Sequence, residues 1–154
     1  MIDKARITFD TNVLIYAAIA DASPRHQIAE RLLARAAQVN CVLVLQSLAE
    51  FVWVSTRKAY LSMDAAATMV GTWLDIYPSV QATPETVRAA LVAVRRHHLG
   101  FWDAMLWAVA REAGCRYLLS ENFQAGRTLE GVTFVNPFAP GGLPEEVERA
   151  LGDR

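Results

Sequence analysis

The chain has 154 residues, enough for one domain with a substantial hydrophobic core and without disulfide staples. Hydrophobic residues make up 53% and charged residues 20%, which is typical of a folded chain and excludes an intrinsically disordered one. The formal net charge of −1 excludes the global basic field that many nucleic-acid-binding proteins carry, so any contact with RNA or DNA must be local.

The first predicted strand is the apolar run that ends at Phe9, and Asp10 follows it directly. Because Asp10 interrupts the run, the N-terminal segment fits neither a signal peptide nor a membrane span, and we expect a cytoplasmic protein. In open parallel α/β sheets, ligands bind beyond the carboxyl ends of the strands, where Asp10 would lie. Asp10 is also a good N-cap for the helix predicted through Ala20, so by itself it does not establish a site.

Helices and short apolar strands alternate along the rest of the chain. Ser-Pro and Thr-Pro pairs at Ser23 and Thr83 predict helix starts, and Ser47 is predicted to open the helix that carries Glu50. This alternation predicts a three-layer α/β sandwich with a central, mostly parallel sheet. The predicted helices lie at about 11–20, 24–39, 47–58, 62–74, 83–99 and 101–113, and the strands at about 6–9, 41–45, 77–80, 116–119 and 132–135. The inner face of the helix that starts at Thr83 is predicted from its apolar spacing to be Val87, Ala90, Leu91 and Val94.

Three acids share an unusual setting, because each lies at a strand end or early in a helix among apolar residues. They are Asp10, Glu50 and Asp103. A carboxylate in apolar surroundings costs free energy unless it is paired or bound to a metal. Mg²⁺ prefers oxygen ligands and keeps several waters when only a few carboxylates hold it. A shared divalent cation therefore explains the three acids together.

Each acid also has a purely structural explanation. Asp10 could be a plain helix N-cap, and Glu50 could close a capping box with Ser47. Asp103 lies in the first turn of its predicted helix, where it would meet the positive end of the macrodipole. These three explanations are independent of one another, whereas one metal site accounts for all three acids.

Four motifs succeed one another along the chain. They are Asp10-Thr11-Asn12, Glu50 on its helix, Phe101-Trp102-Asp103-Ala104 and Leu118-Leu119-Ser120-Glu121-Asn122. In this order and spacing they resemble the PIN-domain ribonucleases of the VapC toxin type, over about residues 6–138. The resemblance implies a PIN-like nuclease domain over residues 1–140, which cuts RNA with Mg²⁺ or Mn²⁺, and a C-terminal tail or short helix over 141–154.

Carried over residue by residue, the resemblance makes Asp10, Glu50 and Asp103 the metal-binding acids and adds Asn122 to the catalytic set. At the position of Asn122, family members commonly carry a fourth acid. An asparagine keeps a carbonyl oxygen for a metal-bound water but removes one negative charge, so a second metal ion should bind less well. Glu121 is adjacent, but we expect its side chain to point elsewhere.

Further residues are candidates for orienting the acids or for contacting RNA. The side chains expected to orient the acids through hydrogen bonds are Thr11, Asn12 and Ser120. Arg95 and Arg96 are candidates for RNA contact, although basic residues in the last turn of a helix also complement its dipole. The four tryptophans follow core periodicity better than a base-stacking pattern, and Trp53 and Trp102 are the most plausible exceptions.

The reaction that the resemblance implies is metal-assisted hydrolysis of RNA phosphodiester bonds, leaving 5′-phosphate and 3′-hydroxyl ends. The resemblance also implies the toxin of a toxin–antitoxin pair, with RNA as substrate, a small antitoxin protein as partner and a homodimeric assembly. Two alternatives stay open. One is a degenerate PIN fold that binds protein or RNA without cutting, motivated by Asn122, and the other is a non-toxin PIN nuclease for RNA processing.

Overall fold

The computed structural model describes residues 5–21 and 23–152. Its elements in chain order are β1 (Arg6–Phe9), α1 (Thr11–Ala18), α2 (Pro24–Ala36), β2 (Leu43–Val44), α3 (Leu45–Arg57), α4 (Met63–Ile76), β3 (Ser79–Val80), α5 (Pro84–His97), α6 (Phe101–Glu112), β4 (Cys115–Leu119), β5 (Thr128–Leu129), β6 (Val132–Val135) and α7 (Glu145–Ala150). Within the described ranges, no helix is long and apolar enough to cross a membrane.

The strands form a mostly parallel sheet. β1, β4 and β6 pair in parallel, and β5 joins the edge of this group by antiparallel pairing with β6. β2 and β3 form a second parallel pair, and a parallel bridge between Ile7 and Cys41 connects their side of the fold to β1. The strands therefore lie in the order β3-β2-β1-β4-β6-β5, and the parallel strands all end at one edge.

Two hydrophobic cores cover the two faces of the sheet. Leu119 belongs to the core that also contains residues of α1, α2, α3, α4 and α7. Its neighbour Leu118 belongs to the other core, with residues of α5 and α6. Successive side chains of a strand point to opposite faces, so the two leucines anchor helices on both sides. The predicted three-layer sandwich is confirmed.

Side-chain caps confirm three of the predicted helix starts. The hydroxyl of Ser23 accepts a hydrogen bond from the amide of Arg25 at the start of α2, and Ser62 and Thr83 cap α4 and α5 in the same way. These caps satisfy backbone amides that have no partner within the helix. Gly114, just after the C-terminal end of α6, has a φ of 77°, the left-handed conformation expected where a helix stops.

Two predicted features differ from the structure. The strand predicted over 41–45 is confined to Leu43–Val44, and α3 begins at Leu45 rather than at Ser47. The apolar run over 41–45 ends in the first residue of α3. Hydrophobic periodicity cannot show where so short a run changes from strand to helix. On α5, Val87 and Leu91 are 37% and 50% exposed, because the helix packs against α6 through small residues instead. The small residues of α5 that are buried are Thr86, Ala90 and Ala93.

The segment that follows residue 140 includes α7. Val147 and Ala150 of this helix are buried in the core that contains Leu119. Arg35 of α2 donates a hydrogen bond to a carboxylate oxygen of Glu148 over 2.8 Å. α7 is therefore attached to α2, while the division of the chain at residue 140 stays a prediction.

Candidate functional site

Asp10 and Ser120 meet at the carboxyl edge of the sheet. They follow β1 and β4, which are paired in parallel so that Phe9 lies opposite Leu119. Oγ of Ser120 donates a hydrogen bond to Oδ2 of Asp10 over 2.7 Å, and the amide of Thr11 donates to Oδ1 over 2.7 Å. Asp10 is only 6% exposed. Asp10 does cap α1, as its structural explanation requires, but the bond to Ser120 goes beyond that role.

The electrostatic setting of Asp10 is unfavourable for a negative charge. Burial raises the pKa of Asp10 above its ordinary value, and the negative charges of Asp103 and Glu50 raise it further. The hydrogen bonds from Ser120 and Thr11 oppose this shift because they stabilise the carboxylate, but they do not cancel it. A bound proton or a cation is what would compensate the charge of Asp10.

Glu50 extends from α3 towards α1. Oγ1 of Thr11 donates a hydrogen bond to its Oε2 over 3.1 Å, and Nε2 of Gln46 donates to its Oε1 over 2.8 Å. The capping-box explanation of Glu50 is wrong, because α3 starts after Val44 with no side-chain cap. The hydroxyl of Ser47 is buried and has no hydrogen-bond partner within the described residues. Glu50 is thus held by side chains of α1 and of its own helix.

Asp103 lies in the first turn of α6 and is half-buried. Burial and the charge of Glu50 raise the pKa of Asp103 above its ordinary value. A carboxylate stabilised mainly by the helix dipole would have a lowered pKa instead. The helix begins after Gly100, and a Cβ at that glycine would lie 3.7 Å from Oδ2 of Asp103. The first turn of α6 therefore leaves room beside the carboxylate.

The charges of Glu50 and Asp103 act on Asp10, and the charge of Glu50 acts on Asp103, but the three acids form no closed ligand set within the described residues. None of the ion pairs in the described part of the chain involves them. In the same ranges, no group of three His, Cys, Asp or Glu side chains is arranged to hold a metal ion. Like charges repel in the absence of a cation. The donor set consists of oxygens, as Mg²⁺ or Mn²⁺ prefers, but three-ligand binding would require the side chains to move together.

The side chains of Thr11, Asn12 and Ser120 all contact the acids or one another. Nδ2 of Asn12 donates a hydrogen bond to Oγ of Ser120 over 3.3 Å and lies 3.5 Å from Oδ2 of Asp10. Oδ1 of Asn12 accepts from the amide of Glu121 over 3.4 Å. Together with the bond from Thr11 to Glu50, these contacts connect the ends of β1 and β4 with α3.

In the turn after β4, the neighbouring residues Glu121 and Asn122 have different surroundings. Glu121 points away from the acids, as expected, and accepts hydrogen bonds from the hydroxyl of Tyr16 over 2.8 Å and from Nε of Arg25 over 2.6 Å. Partial burial raises the pKa of Glu121, but these two bonds and the charge of Arg25 outweigh burial, so the pKa lies below its ordinary value. Asn122 is exposed, and its amide donates to Oγ of Ser120 over 3.0 Å. Glu121 does not stand in for a fourth acid.

Sequence reasoning missed Gln46. Its Nε2 donates to Glu50 and also, over 3.2 Å, to the carbonyl oxygen of Trp102, the residue before Asp103. The available signal was the four-residue spacing between Gln46 and Glu50, which places both on one face of a helix. Arg95 and Arg96 are exposed in the last turn of α5, and neither forms an ion pair within the described ranges. A role for these two arginines in RNA contact stays a prediction.

The model of the PIN domain family matches residues 7–128. The chain belongs to the PIN-domain family. The resemblance inferred from the four motifs is confirmed, together with the fold class. No curated protein matches the sequence closely enough to count as a relative.

Solved structures of VapC toxins and of toxin–antitoxin complexes share the fold of this PIN-domain protein. VapC20 of Mycobacterium tuberculosis, described as a sarcin-ricin loop cleaving toxin, is 22% identical with a TM-score of 0.61 over 73% of this chain and 86% of that chain. A toxin–antitoxin complex from Klebsiella pneumoniae gives 16% identity and a TM-score of 0.62, over 82% and 95%. VapBC2 of Rickettsia felis, bound to a DNA fragment from its promoter, gives 12% and 0.63, over 84% and 96%.

Proposed function

We propose that this PIN-domain protein is a metal-dependent endoribonuclease and the toxin of a type II toxin–antitoxin pair. The observation that carries the proposal is that Asp10 is buried at one edge of the sheet, close enough to Glu50 and Asp103 for their charges to raise its pKa, while Glu50 also raises the pKa of Asp103. Carboxylates in this setting, without a basic partner in the described part of the chain, suit a divalent cation as their counter-charge. The fold that the chain shares with VapC toxins supports the same proposal.

In the proposed reaction, Asp10 and Asp103 would hold Mg²⁺ or Mn²⁺, and Glu50 would bind it directly or through a water. The ion, when bound, supplies acidity to the attacking water and stabilises charge on the phosphate. Neighbouring residues of this chain stabilise and orient the acids that would bind the ion. Ser120 and the amide of Thr11 stabilise the anionic form of Asp10, and the hydroxyl of Thr11 orients Glu50.

Asn122 bears on how many ions take part. The backbone amide of Asn122 donates a hydrogen bond to Oγ of Ser120, so the side chain of Asn122 extends from the turn beside Asp10. The side-chain carbonyl can accept a hydrogen bond from a water but adds no negative charge. The proposal therefore has one ion held by acids, with hydrolysis leaving a 5′-phosphate and a 3′-hydroxyl.

The proposed biological setting is the cytoplasm, with RNA as the substrate and a small antitoxin as the partner. The structure from Klebsiella pneumoniae that shares the fold is a toxin–antitoxin complex, which supports an antitoxin here. A homodimer is also proposed, because Val87 and Leu91, four residues apart on one face of α5, are large apolar side chains left exposed. Exposed apolar patches commonly mark protein interfaces.

The second candidate function is a PIN-fold module that binds RNA or protein without cutting it. Two observations favour it: Asn122 replaces an acid, and the acids form no closed ligand set within the described ranges. A non-toxin nuclease for RNA processing shares the site chemistry of the toxin. The two nucleases differ only in the effect that RNA cleavage has on the growth of the cell.

The test is to induce the protein in a bacterial host and to map the 5′ ends of cleaved RNA, with Asp10→Asn as the matched variant. Growth arrest and new RNA ends that both disappear in Asp10→Asn would support the toxin. New RNA ends without growth arrest would favour the processing nuclease. No new ends with the parent protein would overturn the nuclease proposal and favour the binding module.

A further inference from the structure

Two of the four tryptophans are core residues and two are not. Trp73 and Trp107 are buried, and the indole N–H of Trp107 donates to the carbonyl oxygen of Leu129. Trp53 and Trp102 are each 63% exposed. An indole is the largest apolar side chain, so exposing two of them sacrifices burial that the core would have gained.

Both exposed indoles stand next to acids of the proposed site. Trp102 immediately precedes Asp103 in α6, and its carbonyl oxygen accepts a hydrogen bond from Gln46, which also binds Glu50. Trp53 lies three residues after Glu50 on α3, a spacing that makes the two side chains neighbours on the helix surface. Trp102 therefore lies at the contact between α3 and α6 that Gln46 makes, and Trp53 lies about two helical turns farther along α3.

Two basic residues lie close to Trp53 on α3. The guanidinium carbon of Arg57 lies 5.1 Å from the ring centre of Trp53, and Lys58 follows it at the end of α3. A guanidinium on an aromatic face keeps its N–H groups free to bind phosphate. This local positive charge contrasts with the formal net charge of −1 for the chain and is what an anionic polymer would require.

A second aromatic ring supports the other indole. Phe101 packs edge-on against Trp102 with ring centres 5.0 Å apart, and Phe101 is itself 40% exposed. The edge-on contact restrains the indole of Trp102 while leaving most of its surface open. An aromatic side chain held in this way loses little conformational freedom when a planar ligand stacks on it.

We propose that Trp53 and Trp102 form a base-stacking platform, on which unpaired nucleobases of the RNA lie beside the phosphate to be cut. The platform rests on the proposed ribonuclease function and adds to it the two side chains that would hold unpaired bases at the cleavage site. Arg57 binds the phosphate that follows the base on Trp53. Bases within a duplex are already stacked on one another and are unavailable to the platform.

The test measures RNA binding by the full chain carrying Asp10→Asn, which prevents cleavage, and repeats it with Asp103→Asn as an independent background. The probes are a short single-stranded RNA, the same strand with abasic sites, and its duplex. Trp53→Ala and Trp102→Ala should each weaken binding of the single strand by about five- to one-hundred-fold. Trp102→Phe should retain most of the affinity, since a phenyl ring still stacks. Met63→Ala is the matched control, because it removes an exposed apolar side chain from α4, which carries none of the site acids.

Intrinsic fluorescence supplies a second readout. Because Trp73 and Trp107 are buried, RNA that stacks on the platform should quench only the emission of Trp53 and Trp102. The quenching should disappear in the protein with both tryptophans replaced by phenylalanine. Thermal unfolding checks that each variant is folded.

Unchanged affinity in both tryptophan-to-alanine variants would overturn the platform, as would equal affinity for the intact and the abasic strand. The nuclease proposal is tested separately by cleavage with the parent chain. If the parent chain cuts RNA but the tryptophan variants bind RNA as well as it does, the platform alone is overturned. If RNA binding depends on the tryptophans but the parent chain does not cut RNA, the platform is supported and the nuclease proposal is overturned.

Discussion

Oγ of Ser120 lies 2.7 Å from Oδ2 of Asp10, although 110 residues separate them in the sequence. The parallel pairing of β1 with β4 brings them together, because both residues follow the last paired position of their strands. The bond lowers the pKa of Asp10, while burial raises it by more. Ser120 therefore lets Asp10 become a carboxylate more readily than burial alone would allow.

Ser120→Ala should reduce RNA cleavage about tenfold or more, in line with the loss of a residue that orients a metal ligand. The pKa of Asp10 should rise further, so the acidic limb of the pH–activity profile should move to higher pH. Cleavage rates measured across pH would report both effects. Ser55→Ala is the matched control, because the Ser55 hydroxyl is buried but has no hydrogen-bond partner within the described residues. A profile for Ser120→Ala that overlays that of the parent would rule out this role.

Asp10→Asn should make the metal-free protein more stable at neutral pH. The pKa of Asp10 is raised on folding above its ordinary value of 3.8, so the folded protein binds the proton more tightly than the unfolded chain does. Stability therefore falls as pH rises from the unfolded pKa through the folded pKa, and the full penalty is present above the latter. Asparagine avoids this penalty, and its side-chain oxygen can still accept a hydrogen bond from the amide of Thr11.

Urea unfolding in the presence of a chelator, at neutral and at acidic pH, measures the stability effect. The advantage of Asp10→Asn should vanish once the pH falls well below 3.8, where Asp10 is neutral in both states. Added Mg²⁺ should stabilise the parent more than the variant. A variant that is less stable than the parent at every pH would contradict the account of Asp10.

Thr11→Val should lower cleavage by about ten- to one-hundred-fold with little loss of stability, because it removes the hydroxyl that donates to Oε2 of Glu50. Valine keeps the shape of the side chain, and Thr11→Ser keeps the hydroxyl. Cleavage rates and thermal unfolding of the two variants separate orientation of Glu50 from packing. Equal activity of the two variants would mean that this bond does not matter.

Asn122→Asp should restore a negative charge beside Asp10 and tighten Mg²⁺ binding, seen as cleavage that saturates at a lower Mg²⁺ concentration. Glu121→Gln should leave that dependence unchanged, since Glu121 is bound to Tyr16 and Arg25. Its loss should cost less than about 1 kcal/mol of stability, as is usual for partly exposed ion pairs. A stronger effect of Glu121→Gln than of Asn122→Asp on the Mg²⁺ dependence would reverse these assignments.

Local chemistry made much of the candidate site predictable. Asp10 and Ser120 follow apolar strands, and parallel strands end at one edge of a sheet, so their meeting could be expected from the sequence. Asp103 could be located because Gly100 interrupts the helical pattern just before it. These inferences depend on neighbouring residues and on a general property of parallel sheets.

The partners of Glu121 and the inner face of α5 could not be predicted. Arg25 reaches Glu121 only because α2 packs beside α1, and 96 residues separate the pair. On α5, hydrophobic spacing favoured Val87 and Leu91 as the inner face. The close approach of α6 selects alanines there instead, because large side chains would hold the two helices apart.

In the proposed nuclease, the carboxylates of Asp10, Glu50 and Asp103 act together to bind the metal ion with which RNA is cut. The most direct measurement is RNA cleavage by the purified chain, with Mg²⁺ or with a chelator, for the parent, Asp103→Asn and Asp64→Asn. Asp64 is the matched control, since it is an exposed aspartate in the first turn of α4. We expect Mg²⁺-dependent cleavage that is lost in Asp103→Asn and retained in Asp64→Asn. Cleavage at the parent rate by Asp103→Asn, or undiminished cleavage in the chelator, would contradict this role of the carboxylates.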